Sequence, residues 1–590
     1  MFAQSWLGIR NFTLGLIKIQ RVATQANGVT NANRAVTLKQ IQFHGRPYRF
    51  LSTSSSGSGS RSGSAGHGHG KSTKTDRVLY STLAVIAGAG TIYIIDKEFN
   101  ASLITRSARA LYVLLWIAYA YGKDSKNYKS IDDLHEIASE RLLQMLMQNK
   151  GLYIKLGQAI ANQGALFPKA YQVRFPKLYD EAPFDSWDKV DQVLKANLGP
   201  NYESEIFEWI DHIPVASASI AQVHKAQLSK NLGSAKVALK VQHDYIDKQI
   251  VVDLWVYRFI SKVYEKVFDI PLSMFTSYVS EQLVKETDFV HEMHNSMRLV
   301  ELIENDPVLE KENIKIPKNF PKLTTRQVLP AEWVDGIALT DKDELINNKY
   351  DLKLTMSQYI KLFGRQIFKY GFVHSDPHPG NLLARFDENG KQQLVLLDHG
   401  LYINLPEKFR LQYCKLWKDL FVLNVKGVEQ TGRDWGIHST EIFATIVQLR
   451  PVKLEQNKDG SKDDTRDISD LLKSFIGDEL KFPKELPFLS RTMRMIQNLN
   501  QQFGSPVNRI NLLTKEAITV LSKDGSLTWY DRWDLLKIDF SMIVSGIIFR
   551  LIRIRQWLTG DKYGGKQKGL EDYIEMYMQN TAKSLGMEWM

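Results

Sequence analysis

A chain of 590 residues is too long for one ordinary domain, and its 44% hydrophobic content is ample for a large core, which excludes a wholly disordered protein. Ten of its 76 Lys and Arg precede Asp76 with no acidic residue among them, so the net charge of +11 falls to +1 for the rest, and the basic balance implies no nucleic-acid partner. With Cys414 as the single cysteine, an intrachain disulfide is excluded.

The acid-free leader, residues 1–50, sets Trp6, Leu7, Ile9, Phe12 and Leu16 beside Arg10, Lys18 and Arg21, the basic amphipathic pattern of a mitochondrial transit peptide. Residues 51–77 are dominated by Ser and Gly and read as a flexible linker. Val78 to Ile95 is an uncharged run of eighteen residues, just long enough to cross a bilayer, although a run so rich in Gly and Ala also suits a buried helix. Lys71, Lys74 and Arg77 precede it and Asp96, Lys97 and Glu98 follow. The positive-inside bias therefore orients a single-pass inner-membrane protein with its bulk in the intermembrane space. Ala110 to Tyr121 is apolar too, but its twelve residues fit an interfacial or packed helix better than a second span.

Residues 99–205 read as a helical extension. Ser130 with Asp133 resembles a capping box, and Leu134, Ile137, Ala138, Leu142 and Met145 recur at helical spacing. Gly151 punctuates the pattern, and a second helix carries Lys155-Leu156-Gly157-Gln158, by itself an unremarkable helix surface. Residues 206–336 have the order of a kinase small lobe. Val215 to Gln227 and Lys236 to Val241 read as strands, the second ending in Val237-Ala238-Leu239-Lys240. In such a lobe this lysine reaches nucleotide phosphates and is held by a helix glutamate. One helix predicted over Ser277 to Glu304 offers Glu286, Asp288 and Glu292, of which Glu286 is the first choice. Arg326 to Val334 reads as another strand, and Glu332 and Val334 fall in the hinge that would contact adenine through backbone groups.

Residues 337–590 form a large helical lobe, with helices predicted over Leu352 to Tyr370 and after Leu405. Between them lie His374-Ser375-Asp376-Pro377-His378-Pro379-Gly380-Asn381 and Leu397-Asp398-His399-Gly400. An Asp, an Asn five residues on, and an Asp-x-Gly after a hairpin form the spacing of a metal- and phosphate-handling centre. Mg²⁺ bridging ATP phosphates takes hard oxygen ligands and only one or two protein carboxylates, which Asn381 and Asp398 can supply. Asp376 sits where the acceptor's proton would be taken. His374, Asp376 and His378 also alternate as strand-borne metal ligands would, but Pro377 and Pro379 break such a strand. Asn457 to Asp467 reads as a charged, solvated loop. Phe540 to Trp557 joins an apolar stretch to Arg550, Arg553 and Arg555, which fits a core helix with an exposed cationic end better than a contact with anionic lipid.

With these residues in place the chain resembles the UbiB, or aarF-domain-containing, family of atypical protein-kinase-like proteins. The resemblance rests on Lys155 to Gln158, the Ala-rich loop from Ala216 to His224, Lys240, Glu286-Thr287-Asp288, the loop from His374 to Asn381, and Asp398. It implies an α+β two-lobe fold whose helical extension lies over the cleft, so that Lys155 and Gln158 enter the site and ordinary protein-kinase activity is disfavoured. Ala218 and Ser219 would approach the phosphates of ATP or ADP, in a loop that each Cβ stiffens. The implied chemistry is Mg²⁺-dependent ATPase or lipid and small-molecule kinase activity. The combination of leader, span and Asp-His-Gly is similar to the mitochondrial inner-membrane branch linked in fungi to coenzyme Q distribution and lipid homeostasis. A pseudokinase that uses nucleotide as a switch is the alternative. His399, where the family usually has Phe, and Ala161-Asn162-Gln163-Gly164 depart from the pattern.

Overall fold

The computed structural model describes residues 91–558 except 92, 97–100, 163–167, 180–183, 269–271, 423, 438–480 and 524–528. The predicted leader, the linker, most of the predicted span and the loop at 457–467 lie outside the described residues. Of the span, residue 91 and residues 93–95 are described and helical.

The extension begins with α1, Leu103–Gly122, whose first N–H groups are capped from outside: the Asp96 carboxylate accepts from the N–H of Ile104 at 2.9 Å and of Thr105 at 2.8 Å. This helix runs longer than its apolar stretch because Leu103 to Arg109 continues it. Its length and composition would permit a membrane crossing, and about a third of it is buried. Ala110 and Ile117 pack against Leu142 and Leu146 of α2, Ile131–Asn149, and against Val256 and Ile260 of a later helix. Ser130 caps α2 by accepting from the Asp133 N–H at 3.1 Å, and Lys150 and Gly151, both at positive φ, turn the chain into α3, Leu152–Asn162. A further helix, α4, Trp187–Leu198, leads into the sheet.

The small lobe is a five-stranded sheet in the order β1-β3-β4-β6, with β2 paired to β3. Its strands are β1 Phe207–Ile210, β2 Ala216–Ser217, β3 Ala221–Leu228, β4 Lys236–Gln242 and β6 Val328–Glu332; β5, Ile314–Lys315, belongs to the next sheet. The predicted long strand from Val215 is thus two strands with a tight turn at 218–220. Val237, Leu239 and Val241 alternate inward on β4, which leaves Lys240 on the opposite face, paired across to Val223 on β3 and Leu329 on β6. Helix α5, Ile246–Phe268, carries Val256 and Ile260 to the extension's core, and its Asp253 pairs with the buried Arg106 of α1 at 2.8 Å. The single helix predicted over Ser277 to Glu304 is two: α6, Ser273–Glu286, and α7, Phe289–Glu304. Asp288 makes the break by accepting from the Val290 N–H at 3.0 Å, which starts a new helix.

The large lobe packs α8, Leu352–Gly364, α9, Glu407–Phe421, α10, Leu486–Gln502, and α11, Arg509–Lys523, around Phe363, Phe368, Leu416, Ile496 and Leu513. Its strands are β7 Ile337–Ala338, β8 Phe372–His374, β9 Leu382–Phe386, β10 Gln392–Leu396 and β11 Tyr402–Asn404. The β9–β10 hairpin pairs Ala384 with Leu394 and turns at Gly390, φ 71°. The β8–β11 pair sets His374 beside Tyr402. Cys414 is buried in α9, where burial pushes its thiol up to about 12. A last long helix, α12, Trp529–Leu558, closes the described chain.

Candidate active site

Lys240 finds its carboxylate on α7, not α6. Its Nζ donates to both oxygens of Glu292, at 2.8 and 2.9 Å, and lies 3.3 Å from Asp398 Oδ1. This corrects the expected pairing with Glu286. Because the helix restarts at Asp288, Glu292 stands one turn into α7 facing β4, while Glu286 closes α6 on the side of the extension. Burial works to raise the Asp398 carboxyl, but the Lys240 ammonium and the other neighbours that favour its charged form together outweigh it and hold the group well below the usual carboxylate range. Burial pushes Glu292 the other way, upward, against the pull of Lys240 and with the Asp398 charge adding to the rise. Asn381 Nδ2 donates to Asp398 Oδ2 at 3.3 Å, so an amide and an ionised carboxylate lie side by side. Among the described residues no three His, Cys, Asp or Glu side chains gather into a metal cage. Two protein oxygens completed by phosphate oxygens is the donor set Mg²⁺ takes in nucleotide sites, and these residues fit it.

A second cluster covers Asp376. Lys155 Nζ lies 2.5 Å from Glu286 Oε1 and 3.3 Å from Asp376 Oδ2, and Arg491 Nη2 lies 2.8 Å from Asp376 Oδ1. Glu286 therefore serves the extension's lysine. Burial lowers the Lys155 ammonium, but Glu286 and then Asp376 outweigh it and raise it above its ordinary value. Against burial, Arg491 and then Lys155 bring the Asp376 carboxyl down to about 2. The remaining motif residues of α3 explain how Lys155 is placed. A Cβ on Gly157 would stand 2.3 Å from Leu178 Cδ1 and 2.8 Å from Leu146 Cδ1, so any larger residue would require these leucine side chains or the helix to shift. Gln158 Nε2 donates to the Leu178 carbonyl at 3.0 Å, a contact within the extension.

His374 ties the two loops together. Its Nε2 donates to the Asp398 carbonyl at 2.9 Å while its Nδ1 accepts from the Asp376 N–H at 3.0 Å, and burial lowers its pKa, keeping the ring neutral in that tautomer. Both nitrogens are occupied within the loop, so His374 is a positioning residue. Thr492, next to Arg491 on α10, donates to the His374 carbonyl at 3.2 Å. His399 is satisfied likewise: it lies 3.3 Å from the Leu396 carbonyl and 3.0 Å from the Tyr402 hydroxyl. Burial, then neighbouring His374, depresses it to about 3.

The Ala-rich turn is pinned. The Ala218 N–H is spent on the Ala221 carbonyl at 2.7 Å, so of the two loop residues expected at the phosphates only Ser219 keeps an N–H without an acceptor among the described residues. His243 bridges this turn to the extension, 3.2 Å from the Ala218 carbonyl and 2.7 Å from Asp185 Oδ2. At the hinge the Glu332 N–H goes to the Lys318 carbonyl and the Trp333 N–H to the Lys236 carbonyl, whereas the Val334 N–H has no acceptor among the described residues. The Glu332 side chain pairs with Lys315 at 2.7 Å. Arg491 escaped the sequence reading because no local pattern distinguishes a buried arginine on an amphipathic helix from an exposed one.

Residues 177–432 match the ABC1 atypical kinase-like domain. The chain is similar to the ABC1 family protein C10F6.14c of Schizosaccharomyces pombe, 37% identical over 76% of this chain and 84% of that one. It is 34% identical to the ABC1 family protein lscO of Purpureocillium lilacinum over 73% of this chain and 80% of the relative. Against the AarF domain-containing kinase 1 of Drosophila melanogaster the identity is 30%, over 79% and 95% respectively. The lysine of β4, the Asp376–Asn381 loop and the Asp398 loop, with an extension laid on them, thus belong to a chain of the ABC1/AarF family of atypical kinase-like proteins, the UbiB family.

Proposed function

We propose that this chain binds Mg²⁺-ATP and works as an ATPase or a kinase of a lipid or small molecule, anchored in the mitochondrial inner membrane and acting in coenzyme Q distribution and lipid homeostasis. The observation that carries the chemical part is that Lys155, from outside the two lobes, lies on Asp376, where a protein substrate's hydroxyl would have to stand. Bound Mg²⁺-ATP would supply the transferable phosphoryl group and neutralise its charge. Lys240, steadied by Glu292, would bind phosphate oxygens; Asn381 and Asp398 would hold the metal; and the N–H groups of Ser219 and Val334 would meet phosphate and adenine. Asp376 would accept the proton of water or of a small hydroxyl compound once Lys155 gives way, since a carboxyl near 2 is a weak base. An isoprenoid lipid such as coenzyme Q is the acceptor or cargo we favour, on the strength of family and of the predicted anchor.

One observation favours the second reading, a nucleotide-switched pseudokinase: Asp376 is paired on both oxygens, by Lys155 and Arg491. The deciding experiment measures ATP turnover with and without anionic liposomes and a quinone-like phenol, together with nucleotide-induced thermal stabilisation, in wild type and Asp376→Asn. Turnover lost in the variant with stabilisation kept supports catalysis. Stabilisation without turnover in either protein supports the switch, and neither effect in wild type refutes nucleotide binding.

A further inference from the structure

Helix α12 buries Ile538 but from Phe540 onward turns its apolar side chains outward. Its inner side is held by polar contacts: Asn508 Nδ2 donates to Ser545 Oγ at 2.9 Å, Asn511 Nδ2 to the Met542 carbonyl at 3.0 Å, and Arg553 and Gln556 each to the Gly504 carbonyl at 3.4 Å. Its outer side carries Phe540, Ile543, Ile547, Leu551, Ile554 and Trp557, each between 52% and 70% exposed. At the helical period these fall on one face spanning about 120°, a third of the circumference. A helix on a globular protein in water shows the reverse arrangement. Exposed Arg550 and Arg555 fall toward opposite edges of that face, and no Asp or Glu occurs between Phe540 and Leu558.

We infer that the outer face of α12 docks on an anionic lipid bilayer, with the helix lying in the surface plane. An apolar face running about 26 Å is larger than the isolated patches a protein in water normally exposes. The residue types at its edges suit this occupant: arginine keeps its head among phosphates while its stem lies on the acyl boundary, and the Trp557 ring belongs at headgroup depth. A second copy is a poor occupant, because a two-fold contact would bring cationic edges together, and α12 carries no Asp or Glu from Phe540 to Leu558. The inference deepens the membrane part of the proposed function but rests on α12, independent of the predicted anchor and of nucleotide chemistry.

The test places one fluorophore on the full chain. Cys414 is buried with its thiol pushed up to about 12 and does not compete, so Leu551→Cys takes an environment-sensitive label, with exposed Lys230→Cys as control. The protein is mixed with vesicles of phosphatidylcholine, alone or with phosphatidylglycerol, containing nitroxide lipid. The label at position 551 is expected to shift to the blue and be quenched in anionic vesicles, and the label at 230 to do neither. Arg550→Glu with Arg555→Glu should lower the docked-to-free ratio by at least about 25-fold, a factor of about five for each basic residue lost. An unshifted label at 551 overturns the inference, as does an equal shift in neutral vesicles. A shift that grows with protein concentration without vesicles overturns it in favour of a protein-covered face. A failed anchor or an inactive nucleotide site leaves the readout unchanged.

Discussion

Lys155 Nζ lies 3.3 Å from the Asp376 carboxylate across 221 positions of sequence, so the extension and the catalytic loop form one electrostatic unit. Removing one partner of a buried pair leaves the other uncompensated. Lys155→Met should lower the unfolding free energy by about 3–5 kcal/mol, and Lys155→Met with Glu286→Gln by clearly less than the sum of the two single changes. Urea denaturation of the four proteins measures this; additive effects would contradict the pairing.

The two glutamates are separable by function. Glu292→Gln should abolish most nucleotide-induced thermal stabilisation because Lys240 loses its carboxylate partner, while Glu286→Gln should retain most of it. Thermal unfolding with and without Mg²⁺-ATP tests the assignment, and the opposite ranking would return Glu286 to Lys240.

Gly157→Ala is a one-atom probe of how tightly α3 seats. A methyl 2.3 Å from Leu178 Cδ1 forces side chains or the helix to move, at about 1–3 kcal/mol. A melting temperature equal to wild type would show that the gap can open freely.

His399 makes stability depend on pH. Its pKa is about 3 in the fold and about 6.5 when unfolded, so the unfolded chain binds the extra proton between these values. The contribution of the neutral ring is therefore fully present above pH about 6.5 and is lost as pH falls toward 3, at about 1.4 kcal/mol per unit. His399→Phe should flatten the decline by about 2 kcal/mol between pH 6.5 and 5 in urea titrations. An unchanged slope would show that the ring is protonated in the fold.

Sequence spacing by itself marked Asp376, Asn381 and Asp398 as one candidate cluster, because they lie in short loops on either side of the β9–β10 hairpin, and it marked Lys240 as the lysine of an alternating strand. It also marked the helices by their period and showed Lys155 to Gln158 as a motif by resemblance. It chose Glu286 for Lys240 where the structure places Glu292, because the pairing depends on a helix break made by one capping contact at Asp288. Arg491 on Asp376, Gln158 on Leu178 and the outward apolar face of α12 were decided by tertiary structure alone. Burial, and the identity of what lies across a contact, arise only when segments far apart in the chain pack together, and these set a charge's partner and a helix's inner side.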